Sequence, residues 1–546
     1  MRNQYLKLLI GIMALVLTGI CFSSCKKYLD VTAKDQVTDA TLWSSTETGD
    51  LFLNNIYAGI PSQNTDDPLD NYSDNSINGQ AGKYSGDVYA NSSYTPSNGP
   101  DRWGLYGNIR ACNIFIDKVN ASKLPDDWKT LRLAEARYLR AYFYSLLWTY
   151  YGGVPIITDV LDRNSQGDSI FRARSTDAET FDFITSECKA IAGDLPLEAA
   201  AGRATRGAAL TLEGWCELFN ASALKNPDND KARWALAAAT NKAVMDLKVY
   251  SLFPDYGQMF MEENNNNVEV IFEREHLGGT ALANTRTYVD GPRWVNGNLQ
   301  SWGQVDPTQD IVDEYEMANG LPITDPASGY DPDHPYENRE QRFYQSVVYD
   351  GSVWLDFTMV MKQGVGSRNE TDLSNSSTST KTGYYLRKGM DPRYAAVYND
   401  QNSASFIIFR YAEVLLSYAE AQNEAVGPDG SVYDAVNQVR ARSALPPLPT
   451  GLDQDDMRAA IRRERRIELA FEDKRWYDLI RWKLAEKNLN GSLHAIVIQN
   501  ENGKWVYNTK PAAGGQRTFY ANKNYLMPIP QYAMDKNEKL TQNPNY

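Results

Sequence analysis

Apolar positions along the chain follow the helical period over long stretches and then lose it. In 130–150, Leu131, Ala134, Tyr138, Ala141, Tyr142 and Trp148 recur at the 3.6-residue spacing of an amphipathic helix. In 203–225, Ala208, Leu212, Trp215, Cys216, Phe219 and Ala223 line one stripe. Ala235, Ala238, Ala239 and Val244 do the same in 231–247. Residues 42–57, with Leu42, Leu53, Ile56 and Tyr57, add an earlier helix, and 103–247 is a helical region. Gly152-Gly153 stops one helix, while Gly207 and Gly214 are small enough to admit a neighbour. Further helices are predicted at 406–425, 431–443, 453–473 and 475–487. Small residues mark their seams: Ala412, Leu416, Ala419 and Ala421 on one helix precede Ala435, Val436 and Val439 on the next. This is tetratricopeptide-like packing without a strict 34-residue repeat.

Two regions break the pattern. Residues 61–102 are rich in Asn, Asp, Ser, Gly and Tyr, with Pro61, Pro68, Pro96 and Pro100. A stretch this long without a period is usually functional or mobile. Residues 250–400 carry short strand-like runs at 268–272 and 347–349 between long loops, and 367–382 is a Ser/Thr/Asn-rich exposed loop. Apolar runs at 496–498 and 505–507 flank Asn502-Gly503, a hairpin signal. The tail, with Pro528, Pro530 and Pro544, is extended.

The N-terminus reads as an export signal. Arg2 and Lys7 precede an apolar run at 8–22 that is short for a bilayer span. Ser23-Ser24 directly before Cys25 resembles a bacterial lipobox, in which Cys25 becomes the lipidated first residue. The expected organisation is a signal peptide at 1–24 and a lipidated tether at 25–40. An N-terminal helical region follows at 41–250, a loop-rich variable region with short strands at 251–400, and a C-terminal helical region and tail at 401–546.

Composition narrows the chemistry. The 546 residues include 55 Lys and Arg against 69 Asp and Glu, a formal net charge of −14, which argues against nucleic-acid binding. The three histidines, His276, His334 and His494, are too far apart in sequence for a ligand spacing, and the five Cys form no C-x-x-C pair. No metal and no cofactor is expected. Cys112, Cys188 and Cys216 lie in predicted helices and read as buried free thiols. Asp74, Ser76 and Asn78 before Gly79 imitate the start of a calcium loop, but Ser85 stands where its bidentate Glu belongs, so this reads as a polar loop. The basic run Arg462–Arg466 carries acids three or four residues from its arginines, as in Arg465 with Glu468 and Glu472 with Arg475, so helix-internal pairing is expected. No nucleophile elbow, P-loop, dinucleotide fingerprint or zinc-protease motif is present. A carboxylate pair of the glycosidase kind has no local signature. Tyr (34) and Trp (12) far outnumber Phe (17), and aromatics with a polar tip suit wet contact surfaces.

Several segments resemble the SusD/RagB family of Bacteroidetes nutrient-binding lipoproteins. They are AEARYLRAYFY at 134–144 with YGGVPII at 151–157, ATRGAA at 204–209, RYAEVLLSYAEAQNE at 410–424 with VNQVRAR at 436–442, RRERRIELAFE at 462–472 with RWYDLIRW at 475–482, YLMPIP at 525–530 and the closing QNPNY at 542–546. They run in family order to the last residue. Asn545 stands where the family usually has Gly. The resemblance implies a mainly α fold of four irregular tetratricopeptide-like helix pairs beside a loop-rich region. It implies a non-enzymatic role: an outer-membrane lipoprotein, facing the exterior, that captures oligosaccharides and hands them to a SusC-type TonB-dependent barrel. Peptide capture within the same family, an exported glycosidase and a structural adaptor are the alternatives.

The family motifs mark the scaffold, so Arg466, Glu468 and Glu472 are expected to serve the fold, as are Trp148, Trp215 and Trp476 within their helices. Candidate ligand contacts are instead the aromatics of the two irregular regions: Trp294 and Trp302 with Tyr288 and Arg293 beside them, and Tyr72, Tyr89 and Tyr94 in the other. Trp103, at a helix start, is a further candidate. Asn78, Asn296 and Asn298 would supply hydrogen bonds to sugar hydroxyls.

Overall fold

A computed structural model describes residues 42–62, 68–80, 85–374, 378–395 and 401–546; Cys25 and the leader lie outside them. The scaffold is mainly helical. Its long helices are α1 (Thr46–Ala58), α2 (Leu105–Ala121), α3 (Asp126–Tyr151), α4 (Asp177–Ile191), α5 (Arg206–Ala221), α6 (Lys231–Asp246), α7 (Tyr411–Val426), α8 (Gly430–Arg442) and α9 (Gln454–Glu468). Side chains placed just before most of them close their first turns. Ser45 accepts from Thr48 N–H, Thr205 from Ala208, Asp230 from Ala232, Asp429 from Ser431 and Val432, and Asp453 from Asp455 and Asp456. Thr176 and Glu179 form a reciprocal capping box on α4.

Packing follows chain order. α2 lies on α3, α3 on α4, α4 on α5 and α5 on α6. α6 meets α7, which also packs on α8 and α9. The seam between α5 and α6 needs Gly214, since a Cβ there would fall 2.9 Å from the Asn241 amide nitrogen. α3 ends at Gly152, whose φ of +75° is a conformation L side chains avoid. Trp148 and Trp476 are fully buried in the large core, and Trp215 packs against it half-buried. Cys112, Cys188 and Cys216 are buried free thiols.

The strands of the described residues come in antiparallel pairs. Asn502 (φ +55°) and Gly503 (φ +88°) sit at the tip of the hairpin Gly491–Glu501 with Lys504–Arg517, longer than the two apolar runs suggest. Its Ile496 and Ile498 join a second core with Val305, Phe343, Val347 and Tyr385 from the irregular region. Residues 406–410 correct a predicted helix. Phe406–Arg410 is a strand paired with Val270–Arg274, and only from Tyr411 does the chain turn helical. The Phe-Ile-Ile-Phe run suits a pleated pairing, and its sister strand lies far away in sequence. Likewise α9 stops at Glu468, because Phe471 (φ +62°) and Asp473 (φ +60°) adopt left-handed backbone.

The turn carries Glu472 into a buried charge network, which overturns the helix-internal pairing expected there. Glu472 accepts from Arg410 Nε (2.7 Å), Arg410 Nη2 (2.7 Å) and Lys388 Nζ (2.6 Å). Glu468 accepts from Arg410 Nη1 (2.6 Å), Arg342 Nη1 (3.0 Å) and Arg442 Nη2. Arg465 turns to Asp478, and Arg475 grips Asp74 through two 2.8 Å bonds. Arg466 reaches Asn75, Glu314 and the same Asp74. The calcium-like Asp74 is therefore held between guanidiniums. These side chains face between elements, not along one helix, so their partners are tertiary. Burial raises the cost of ionising Glu472, yet Arg410 and Lys388 hold its carboxyl down at about 2. Glu468 is likewise held well below the usual range by Arg442, Arg410 and Arg342 against its own burial.

Candidate functional site

The candidate residues separate into two groups. Tyr72, Tyr89 and Tyr94 come together, but inside. Their rings stack at 4.2 Å (Tyr72–Tyr89) and 5.5 Å (Tyr89–Tyr94), both at 15°, and Trp476 meets Tyr72 edge-on at 6.2 Å. Trp476 Nε1 donates to the Tyr89 hydroxyl, and the C-terminal Tyr546 hydroxyl lies 3.1 Å from that of Tyr94. With exposures of 0%, 3% and 1%, these tyrosines have no face for a ligand in this conformation. They pin the irregular 61–102 region to the C-terminal helices. Asn78 is also buried: it sits opposite Val305 in a short sheet, and its side-chain oxygen accepts from Gln80 N–H at 2.9 Å. Trp103 packs half-buried between Tyr106 (5.0 Å) and Tyr151 (5.4 Å).

The other group gathers at the surface. Trp294-Val295 and Asn298-Leu299 form a small hairpin. Asn296 (φ +48°) and Gly297 (φ +75°) make its turn, the left-handed pair that a tight two-residue hairpin needs. Asn296 and Asn298 are exposed at this tip. Trp302 follows, its N–H donating to Tyr288 C=O at 3.0 Å, and Tyr288 stands on the short helix Arg286–Asp290. The Tyr288 and Trp302 rings meet edge-to-face at 6.2 Å. Arg293 lies 5.7 Å from the Trp302 ring centroid and 6.0 Å from that of Trp294, and donates to Trp302 C=O at 3.1 Å. On Trp294, Arg368 stacks at 4.4 Å. The resulting order is Tyr288, Trp302, Arg293, Trp294, Arg368: rings and guanidiniums in contact along one ladder, with both tryptophans half-buried and Arg368 exposed.

A cleft of about 470 Å³ opens at the Trp294 end, lined also by Gln363, Ser367, Glu370, Asp372 and Thr378. Trp294 straps its wall. The indole Nε1 donates to Thr378 C=O at 2.6 Å, and its own C=O accepts from Asn369 Nδ2 at 2.8 Å. Burial pushes the carboxyl of Asp306, which acts on Arg293 through space, up to about 7; burial also lowers Arg293 from its ordinary value. Arg368 and the cleft polar groups were not foreseen. The composition of 367–382 marks an exposed loop but says nothing about which distant ring it covers.

Known proteins share this architecture. A solved SusD-like protein from Bacteroides fragilis superposes with a TM-score of 0.79 at 28% identity, covering 93% of this chain and 99% of that one. A second from the same organism, described as a SusD-like carbohydrate binding protein, gives 0.77 at 25% identity over 92% and 100%. SusD-like protein P2 of Formosa agariphila is 26% identical over 81% of this chain and 79% of its own length. Residues 268–546 match the SusD family model, just over half the chain, and residues 27–213 match a second model described as starch-binding, associating with outer membrane. The chain belongs to the SusD family.

Proposed function

We propose that the protein is a carbohydrate-binding lipoprotein of the outer membrane, anchored through Cys25 and facing the exterior. It captures oligosaccharides without cleaving them and delivers them to a SusC-type TonB-dependent barrel. The observation that carries this reading is the ladder from Tyr288 to Arg368 beside an open polar cleft. Family membership and the description of a similar Bacteroides fragilis protein as carbohydrate binding support it. Trp302 and Tyr288 offer apolar ring surface to sugar C–H faces. Asn296, Asn298 and Gln363 stand nearby for hydroxyls.

Titrating a glycan library, with peptides of similar size alongside, into wild type and Trp302→Ala tests the platform. The expected result is glycan binding that Trp302→Ala weakens at least tenfold. Peptide binding in its place, or affinity unchanged within about threefold, less than 1 kcal/mol, would place the site elsewhere. Trp294→Ala serves as a second variant, which removes the indole bond to Thr378 C=O and the ring under Arg368. For the anchor, Cys25→Ser is expected to leave the membrane fraction; unchanged partitioning without the barrel partner would rule out the lipobox.

A further inference from the structure

We propose that the Trp294 end of the platform takes the anionic groups of an acidic oligosaccharide, the carboxylates of uronic acid units or sulfate esters. This rests on the glycan-platform reading above and narrows its ligand class. The Trp294 ring is not a free apolar face. Arg368 lies 4.4 Å from its centroid and Arg293 6.0 Å, so guanidiniums hold positions that a neutral sugar ring stacking there would need. A guanidinium held by stacking keeps its in-plane N–H donors, a fork that matches carboxylate and sulfate oxygens.

Among the described residues neither arginine enters an ion pair. Arg293 meets the two indole rings and the Trp302 carbonyl, and Arg368 meets the Trp294 ring. The acids lining the cleft are already engaged. Glu370 accepts the N–H groups of Val365 (3.2 Å) and Gly366 (3.0 Å), and Asp372 accepts that of Ser374 (2.7 Å). Asp306, the buried acid facing Arg293, accepts the Lys381 N–H at 2.8 Å and lies beside the Lys381 charge, so its charge is shared. In a chain of net charge −14, where the buried Arg410 is held by Glu269, Glu468 and Glu472, two guanidiniums on one ring with no ion pair among the described residues are set out for an anion from outside.

The test uses the mature chain and matched pairs of probes: oligogalacturonides against their carboxyl-reduced forms, and sulfated oligosaccharides against desulfated ones of equal length. Calorimetric titrations at 50 and 500 mM NaCl are run on wild type, Arg368→Ala, Arg368→Lys and Trp302→Ala. The expected result is at least one acidic probe bound tenfold or more tightly than its neutral partner. That preference should shrink at high salt, fall within threefold in Arg368→Ala and survive only in part in Arg368→Lys. Which pair shows it tells carboxylate from sulfate. If neutral probes bind equally well and depend on Trp302 but not Arg368, the anion proposal is overturned and the platform stands. If glycans of either kind bind indifferently to both substitutions, the platform reading falls and takes this proposal with it. If no acidic probe binds, the proposal is overturned.

Discussion

Two sets of arginines in this molecule meet opposite fates. Around Glu464, Glu468 and Glu472, the side chains of Arg342, Arg410, Arg440 and Arg442 are buried, and each has at least one carboxylate partner. Around Trp294, Arg293 and Arg368 lean on rings and form no ion pair among the described residues, although the buried Asp306 acts on Arg293 through space. The same side chain is structural where its charge is consumed inside the fold and available where its contacts are ring faces and a backbone carbonyl. Desolvated charges demand partners, and removing one partner leaves the others stranded. A half-exposed stacked guanidinium makes no such demand, since cation–π contact at such sites is worth only about 0.5–1 kcal/mol.

The largest break in the comparison should come from Glu468→Ala. It leaves Arg342, Arg410 and Arg442 short of a buried carboxylate. We expect a loss of about 3–5 kcal/mol in denaturant unfolding. A folded, equally stable variant that has lost ligand binding would move Glu468 from scaffold to site.

Acid should undo the same network next. Unfolded, Glu472 takes its proton near 4.5; folded, only near 2. The folded state binds that proton less readily, so the stabilisation is complete above about pH 4.5 and is lost as pH falls toward 2, on the order of 3 kcal/mol in all. Thermal melts from pH 6 to pH 2.5 should steepen across that window, and Glu472→Gln should flatten the slope. An unchanged slope would mean that the pair contributes no pH dependence.

Trp302→Ala should cost at least tenfold in glycan affinity, about 1.4 kcal/mol, while shifting the melting temperature little, because the ring is half-buried and outside the main cores. Smallest of all, Arg368→Ala should change unfolding free energy by no more than about 1 kcal/mol, the worth of its ring contact. A large destabilisation there would place Arg368 with the buried arginines and erase the distinction between the two sets.

Much of the scaffold was legible because its signals are local. The stripe through Tyr138, Ala141, Tyr142 and Trp148 specifies a buried face of α3, and all four are buried. Asn502-Gly503 announced its hairpin for the same reason: a two-residue turn is encoded by the residues that make it. The surface cluster was half legible. Tyr288, Arg293, Trp294 and Trp302 lie within fifteen residues and do assemble. Arg368, which covers Trp294, is seventy-four positions away and carries no mark of it.

The loop tyrosines show where local reading ends. Tyr72, Tyr89 and Tyr94 sit in a stretch as polar and irregular as that around Trp294, yet one set is stacked under Trp476 and the other faces a cleft. Sequence by itself determined most of the helices, the hairpin turn at Asn502-Gly503 and the family motifs, since each depends on neighbours within a few residues. Tertiary structure alone decided which loop aromatics are covered and which arginines are paired. Those outcomes depend on partners such as Asp74 and Arg475, about four hundred residues apart, whose meeting is set by how whole elements pack and not by any pattern near either one.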